Sequence, residues 1–520
     1  MAQFTYRARL RSSHWPMLSA NAGRTIIDPR IDDHAQIPSR STGSEAQLNL
    51  GHPQVVYMEN VLPIAEGLAS IGYEDQIQYL TNPHNIYRLS PHKGFITRSA
   101  MSFDDGTIIA NPINLGADFS VANLHRNHYA FKPLNSRFYK IDEFGGMELI
   151  TTCLPQDTLL GILEANNFVI AYNEERIYWG NIDTNEELDF EPSLTTLAGS
   201  SIPLDLKGPI VAVYPVDNGF LIYTTRNVIW GEFNVGKVHC PWRFREVDSA
   251  DGISDRNHVA WSHNSHFHYA WTNSGIQRIE GGRKATKEFP NVSEFLAGTI
   301  IEDYEGLQND FTTTDTEPTW SSETQTYANV EATQLQIRKL NSPMDIKVRH
   351  IGDQYLTFSY GGIGRNDYEY VLVYDFKLER WGKLKARHQD VLELVETPLL
   401  FNFGLITSLG QVISILWETC DSDRSGVLIL GKYQLDRQNV CTAQSIEIEQ
   451  VEQDADFDVY WMNTYDGYSW VRDHVPAQTI VAKSARRYHL RKTGKNHSLK
   501  LIGAFTLTSL ILTFTSHGNR

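Results

Sequence analysis

Gly219-Phe-Leu-Ile-Tyr-Thr-Thr-Arg-Asn-Val-Ile-Trp230 decides the fold class. An apolar run, Gly219–Tyr223, meets a polar turn, Thr224–Asn227, and returns as Val228–Trp230. Short β-branched and aromatic runs bounded by turn residues read as paired strands. The pattern recurs upstream as Phe168-Val-Ile-Ala-Tyr172, turn Asn173–Arg176 and Ile177-Tyr-Trp179. Downstream it recurs as His266–Trp271, turn Thr272–Gly275 and Ile276–Ile279, with looser copies from Tyr129, Tyr355 and Leu400. The starts lie about 40–50 residues apart, with one gap of roughly twice that, which is the spacing of four-stranded propeller blades. The expectation is an all-β chain: a β-propeller of six to seven blades over residues 51–425. Such a ring supplies a scaffold and no chemistry of its own.

Composition agrees with a large folded β protein. The 520 residues are 41% hydrophobic and 11% aromatic, with 24 Tyr, 23 Phe and 11 Trp, which suits pleated surfaces. The start, Met1-Ala-Gln-Phe-Thr-Tyr-Arg-Ala-Arg9, has no apolar stretch behind its charges, so no cleavable leader is expected. Leu501–Phe514 is too short and too rich in Thr and Ser to span a bilayer. Its neighbour Ser498-Leu-Lys-Leu501 alternates as a strand does, so the segment reads as two buried strands, and a soluble protein is expected. Cys153, Cys240, Cys420 and Cys441 are scattered, as reduced thiols of a cytosolic product are. The net charge of −16 favours solubility, and in a lumen it would repel nucleic-acid phosphates and let the polymer slide.

The remaining segments differ in texture. Residues 1–50 carry Arg7, Arg9, Arg11, Pro16, Pro29, Pro38 and the run Ser39–Ser44, the composition of an extended N-terminal arm. The double-length gap is a polar and helical insertion at about 290–350. Its helix is expected over Ser293–Leu307 with Ser293 as N-cap, followed by the polar tract Thr312–Thr324. Residues 426–520 read as a separate C-terminal β module contributing to a platform or ring closure. Inside it the cluster from Lys483 through Arg486, Arg487, Arg491 and Lys492 to Lys495 is a solvated loop or a contact for a partner or nucleic acid.

No residue is nominated as catalytic, cofactor-binding or metal-ligating. His258, His263, His266 and His268 fall within eleven residues, but aromatic neighbours and the lack of a nearby Cys read as packing in a blade. Gly361-Gly-Ile-Gly364 lacks the following Lys and reads as a hairpin turn. Asp104/Asp105, Glu174/Glu175 and Asp421/Asp423 sit in turn-like contexts. Asn463-Thr-Tyr-Asp-Gly-Tyr-Ser-Trp470 falls one residue short of a sialidase-type Asp box. Nucleophile elbows, zincin helices and Cys-x-x-Cys pairs are missing, so the chain is expected not to be an enzyme.

Several segments in order resemble the β-propeller nozzle (tail tube or tail knob) proteins of short-tailed bacteriophages. They are Tyr57–Pro63, Arg176–Asp183 with Leu188–Ser193, Ile202–Ile210 followed by Gly219–Ile229, Tyr370–Asp375 with Arg380–Lys383, Gly431–Gln434 with Ser445–Glu449, and His497–Leu501. The long N-terminal arm and the polar tract depart from that pattern. The resemblance implies a virion structural protein, made in the host cytoplasm and placed in the tail. Its copies, typically six, would form a ring that continues the portal–adaptor channel and conveys genomic DNA. Its partners would be itself as a homohexamer, the head–tail adaptor, tail fibre or needle proteins, and double-stranded DNA passing without sequence-specific contact. Neither a cofactor nor stable membrane insertion is implied. The alternative is a glycan-binding or glycan-cleaving propeller that recognises a host surface, motivated by the Trp-rich strands, because aromatic faces stack on sugars.

Overall fold

The structure is a computed structural model. It describes residues 4–11, 55–65, 67–75, strand segments between 86 and 151, 154–182, 188–234, 240–261, 266–297, 320–321, 326–327, 346–352, 354–361, 368–393 and strand segments between 403 and 517. The three hairpins that set the sequence pattern are strand pairs: Phe168–Tyr172 with Ile177–Trp179, Gly219–Thr224 with Asn227–Phe233, and Phe267–Thr272 with Gly275–Glu280. Each is the middle of a four-stranded antiparallel meander, spanning 161–201, 210–251 and 259–287. Further meanders span 120–150 and 347–388.

One device closes four of the central turns. The Asn173 Oδ1 accepts the N–H groups of Glu175 and Arg176 at 2.9 and 2.7 Å. The Thr224 Oγ1 accepts those of Arg226 and Asn227 at 3.1 and 2.9 Å. The Thr272 Oγ1 accepts from Ser274 N at 3.3 Å and donates to the Gly275 carbonyl at 2.8 Å. The Asp375 Oδ1 accepts from Lys377 N and Leu378 N at 2.8 and 3.0 Å. A short polar side chain thereby satisfies main-chain donors that the two-strand ladder cannot reach.

The meanders stand side by side through their first strands. Ser120–Leu124 lies beside Gly161–Ala165, which lies beside Ile210–Val216. Val259–Trp261 lies beside Lys347–Ile351, Lys347–Ile351 beside Asp390–Glu393, and Asp390–Glu393 beside Ile86–Leu89. The apolar cores sit between successive sheets. Phe168, Ile170, Ile222, Ile229 and Trp242 fill one such space, and Leu221, Val228, Val259, Ala270 and Ile279 fill the next. Each fully buried aliphatic or aromatic side chain contributes on the order of 1.5–3 kcal/mol. The sheet that follows the 347–388 unit uses chain from far upstream. The sheet of Asp390–Glu393, Phe403–Ile406 and Val412–Leu416 takes its fourth strand from Gly72–Asp75. The fold is an all-β propeller. Among the described residues it has six four-stranded units, and the short pairs Ile86–Leu89/Gly94–Thr97 and Met101–Ser102/Ile108–Ile109 come after Gly72–Asp75 in the chain.

The unit of residues 347–388 does not end at its fourth strand. Val61 pairs with Lys383, and the hairpin Val61–Ile64/Gly67–Ser70 carries the sheet onward. Leu68 and Ala69 pair with Leu507 and Thr506, and the sheet continues through Thr506–His517 and Val440–Gln450 to Arg487–Gly494. A second sheet, built on Val55–Glu59, Gly426–Gln434, Asn496–Gly503 and Phe457–Thr464, faces it. The two share a core in which Leu428, Val459, Trp461, Leu499 and Leu501 meet Ile446, Leu510, Leu512 and Phe514. Leu501–Phe514 is thus divided between two strands, turned at Gly503, whose φ of 131° suits a glycine.

One expectation changes. The helix runs over Pro290–Leu296, three residues earlier than the sequence suggested, because Pro290 is preset for a first helical turn. Ser293 is therefore inside it and caps nothing. Its hydroxyl donates to the Phe289 carbonyl at 3.1 Å and accepts Ile276 N–H at 3.0 Å, which docks the helix on the Gly275–Glu280 strand. Residues 298–307 lie outside the described residues, as does the polar tract apart from the pair Trp320–Ser321/Thr326–Tyr327. The arm begins with a regular strand, Phe4–Arg11, paired along Thr506–His517, and residues 12–54 lie outside the described residues.

Candidate functional site

A buried polar group lies on the inner strands. Arg349, fully buried, comes from Lys347–Ile351. It holds the carboxylate of Asp390, on the next sheet, with Nε on Oδ1 at 2.9 Å and Nη2 on Oδ2 at 3.2 Å. The same Nη2 donates to Asn257 Oδ1 at 3.0 Å, just before the inner strand of the preceding sheet, and Nη1 donates to the Val348 carbonyl. The Lys347 ammonium stands 3.4 Å from Asp390 Oδ2 and donates to the Gln389 carbonyl at 2.7 Å. Three successive units are thus tied by a forked guanidinium–carboxylate pair, the geometry that makes burial of charge tolerable.

Sequence reasoning passed over this group. In Ile346-Lys-Val-Arg-His-Ile351 the cations alternate with apolar residues, as on a half-solvated strand. Both faces are in fact covered, because another sheet stands on each side. The available signal was Asp390, an acid at the head of an apolar strand at blade distance.

The histidine cluster is dispersed among separate partners. His268 is buried, and its Nε2 lies 2.8 Å from the Pro215 carbonyl. A carbonyl only accepts, so Nε2 carries the proton and Nδ1 accepts the Tyr223 hydroxyl at 2.8 Å. Burial pulls its pKa down to about 4 and raises that of Tyr223. His266 is exposed and pairs with Asp217 on the surface. His258 lies 3.4 Å from the Ser254 hydroxyl, and His263 lies outside the described residues.

The C-terminal sandwich repeats the neutral-histidine bridge. His497 Nδ1 accepts Trp461 Nε1–H at 3.1 Å, and Nε2 faces the Cys441 and Gly494 carbonyls, each at 3.2 Å. Burial again pulls the imidazole down to about 4. Ser359 and His388 lie at a nucleophile–base distance of 2.8 Å. Both are fully buried, and His388 Nδ1 is held by the Ala386 carbonyl at 2.7 Å where a triad would place a carboxylate. This pair ties Tyr355–Tyr360 to Arg380–His388.

The other sequence candidates do not converge. Glu174 and Glu175 are exposed in the turn closed by Asn173. Gly361 has a φ of 72°, as a turn glycine does, and residues 362–364 lie outside the described residues. Asp104, Asp105, Asp421 and Asp423 also lie outside them. Asn463 and Thr464 pair with Val471 and Trp470 across a hairpin whose tip is not described. Of the basic cluster, Arg487, Arg491 and Lys492 lie on Arg487–Gly494; the two arginines are exposed, with His489 exposed between them at the alternate position, and Lys492 is half-buried. That strand ends the ten-stranded sheet, and charge there opposes edge-to-edge pairing. Arg487 meets Glu447 at 3.5 Å.

No family model and no curated protein matches the chain. Solved structures of propeller-like proteins do. The chain is similar to virginiamycin B lyase from Staphylococcus aureus at 9% identity over 66% of this chain and 98% of that one, with a TM-score of 0.35. It is similar to YCF48 bound to D1 peptide at 13% identity over 67% and 92%, TM-score 0.33. It is similar to apo AztD from Citrobacter koseri at 10% over 69% and 95%, TM-score 0.32. What makes the chain a propeller is its series of four-stranded meanders standing side by side.

Proposed function

We propose that this chain is a structural subunit of a short-tailed bacteriophage tail, a nozzle protein without a catalytic role. Copies of it would form a ring that continues the portal–adaptor channel and conducts genomic DNA. The observation that carries this reading is the order of nozzle-like segments, Tyr57–Pro63 through His497–Leu501, along a chain whose propeller and C-terminal sandwich share one continuous sheet. A shared sheet supports a mechanical part, because force applied to the sandwich passes into the blades through main-chain hydrogen bonds. The buried Arg349–Asp390 pair supports it as well, since it ties blade to blade. A net charge of −16 favours passage of DNA over capture. Imaging the purified protein and the virion by cryo-electron microscopy tests the proposal through the presence or absence of a ring around a duplex-wide channel.

A second reading, a glycan-binding propeller, draws on the half-buried rings of Phe267, Phe289, Tyr374 and Phe376 beside Arg278 and Glu288. These rings pack against the chain's own aromatic side chains, tilted or edge-on where Phe289 lies 4.9 Å from Tyr374 and 5.3 Å from Trp381, and stacked where Phe376 lies 5.6 Å from Tyr269. That packing favours the structural reading.

A further inference from the structure

The Thr506–His517 strand is the spine of the C-terminal sandwich. Its Leu510, Leu512 and Phe514 are fully buried, and Val440–Gln450 covers one of its edges along nearly the whole length. The other edge is divided. Ala69 and Leu68 take Thr506 and Leu507, and from Ser509 to Ser516 the partner is Phe4–Arg11. The register sets Tyr6, Ala8 and Leu10 opposite Phe514, Leu512 and Leu510, and Arg7, Arg9 and Arg11 opposite Thr513, Ile511 and Ser509. Without that strand, eight residues of ladder beside a largely apolar core would stand open, which is a template for aggregation.

The chain that follows is far longer than this pairing requires. Phe4–Arg11 lies in one sheet of the sandwich, and the next described strand, Val55–Glu59, pairs with Gly426–Gln434 in the facing sheet. Facing sheets stand about 10 Å apart, and connections in compact domains take roughly 4–6 residues. Here 43 residues intervene, 12–54, with Pro16, Pro29 and Pro38 among them. Fully extended they reach about 140 Å, at roughly 3.3 Å per residue. A strand on so long a tether forms the same ladder on its own chain or on a neighbour's, and the choice is set by effective concentration.

We propose that, in the assembled protein, the Phe4–Arg11 strand of each copy adds to the Thr506–His517 edge of the adjacent copy. The partner is a second copy of this chain, held by main-chain hydrogen bonds and by the register given above. Each arm then locks two neighbours and covers an open edge in the same step. The inference deepens the ring reading and rests on it for the presence of neighbours.

Cysteines at the registered pair Arg7 and Thr513 test it. A chain carrying only Arg7→Cys is co-expressed with a chain carrying only Thr513→Cys, oxidised, and run on a denaturing non-reducing gel. The double variant and the unsubstituted chain, which retains Cys441 near the strand, run beside it. Exchange predicts a two-chain band from the mixture and a ladder of multimers from the double variant. A mixture that gives no dimer, with a double variant that runs as an internally looped monomer, overturns it. The pair Arg11→Cys with Ser509→Cys gives the same readout if the first pair disturbs folding. A ring with looped monomers would reject exchange and leave the nozzle reading standing. Cross-linked chains that form no closed ring would do the reverse.

Discussion

Replacing Asp390 by Asn keeps the shape of the side chain and removes the charge that two buried cations share. In the folded chain Arg349 loses its forked partner at 2.9 and 3.2 Å, and the Lys347 ammonium loses the oxygen at 3.4 Å. Removing one side of a buried ion pair typically costs about 3–5 kcal/mol, because the remaining charge has no water to turn to. Arg349→Met is expected to cost less, about 1–3 kcal/mol, because Asp390 keeps Lys347 and the Val391 N–H at 2.9 Å. The double variant should then be less destabilised than the sum of the singles by about 1–3 kcal/mol. Denaturant unfolding of the four proteins, followed by tryptophan fluorescence, measures all three quantities. Equal losses in the two single variants with additivity in the double would refute the view that this pair ties the blades together.

Two further outcomes follow from the same geometry. His268 and His497 are buried neutral, with pKa values pulled from about 6.5 in the unfolded chain to about 4 in the fold. Between those values the unfolded chain binds the protons and the folded chain does not, so stability falls as pH falls. From pH 7 to pH 5 each histidine should remove about 2 kcal/mol, and the slope should flatten in His268→Gln; an unchanged slope in that variant would count against the Tyr223–His268–Pro215 bridge. At Gly219, φ is +146° and an added Cβ would stand 1.9 Å from the Gly231 carbonyl oxygen. Gly219→Ala should therefore cost about 1–3 kcal/mol or more, whereas unchanged stability in unfolding experiments would mean that the Gly231 carbonyl does not approach this position so closely.

The fold was legible where local and global demands agree. Gly219–Trp230 shows its hairpin because the turn residues Thr224 and Asn227 hydrogen-bond within four positions, a range that sequence displays. The three sharpest copies match strand for strand, and the buried pair of strands across Leu501–Phe514 was visible from its length and alternation. What sequence hid was long-range. Gly72–Asp75 completes a blade sheet against Val412–Leu416, some 340 residues away (Gly72 pairs with Leu416), and nothing local in Gly-Tyr-Glu-Asp marks it as a blade strand. The joining of blade to sandwich through the Val61–Ser70 hairpin is equally invisible, because a short apolar hairpin carries no label for its partners. The Arg349–Asp390 pair was masked by an alternation that imitates a solvated face. The histidine cluster drew attention through sequence proximity, and the strand separates His266 from His268 by burial alone.

Single-particle cryo-electron microscopy of the purified full-length protein, alongside the virion, tests the central claim most directly. A nozzle subunit should appear as a closed ring of copies, each with a propeller joined rigidly to its sandwich, around an axial opening wide enough for duplex DNA, and the same ring should sit in the tail below the portal. Single propellers without an axial opening, and no matching density in a virion, would contradict it.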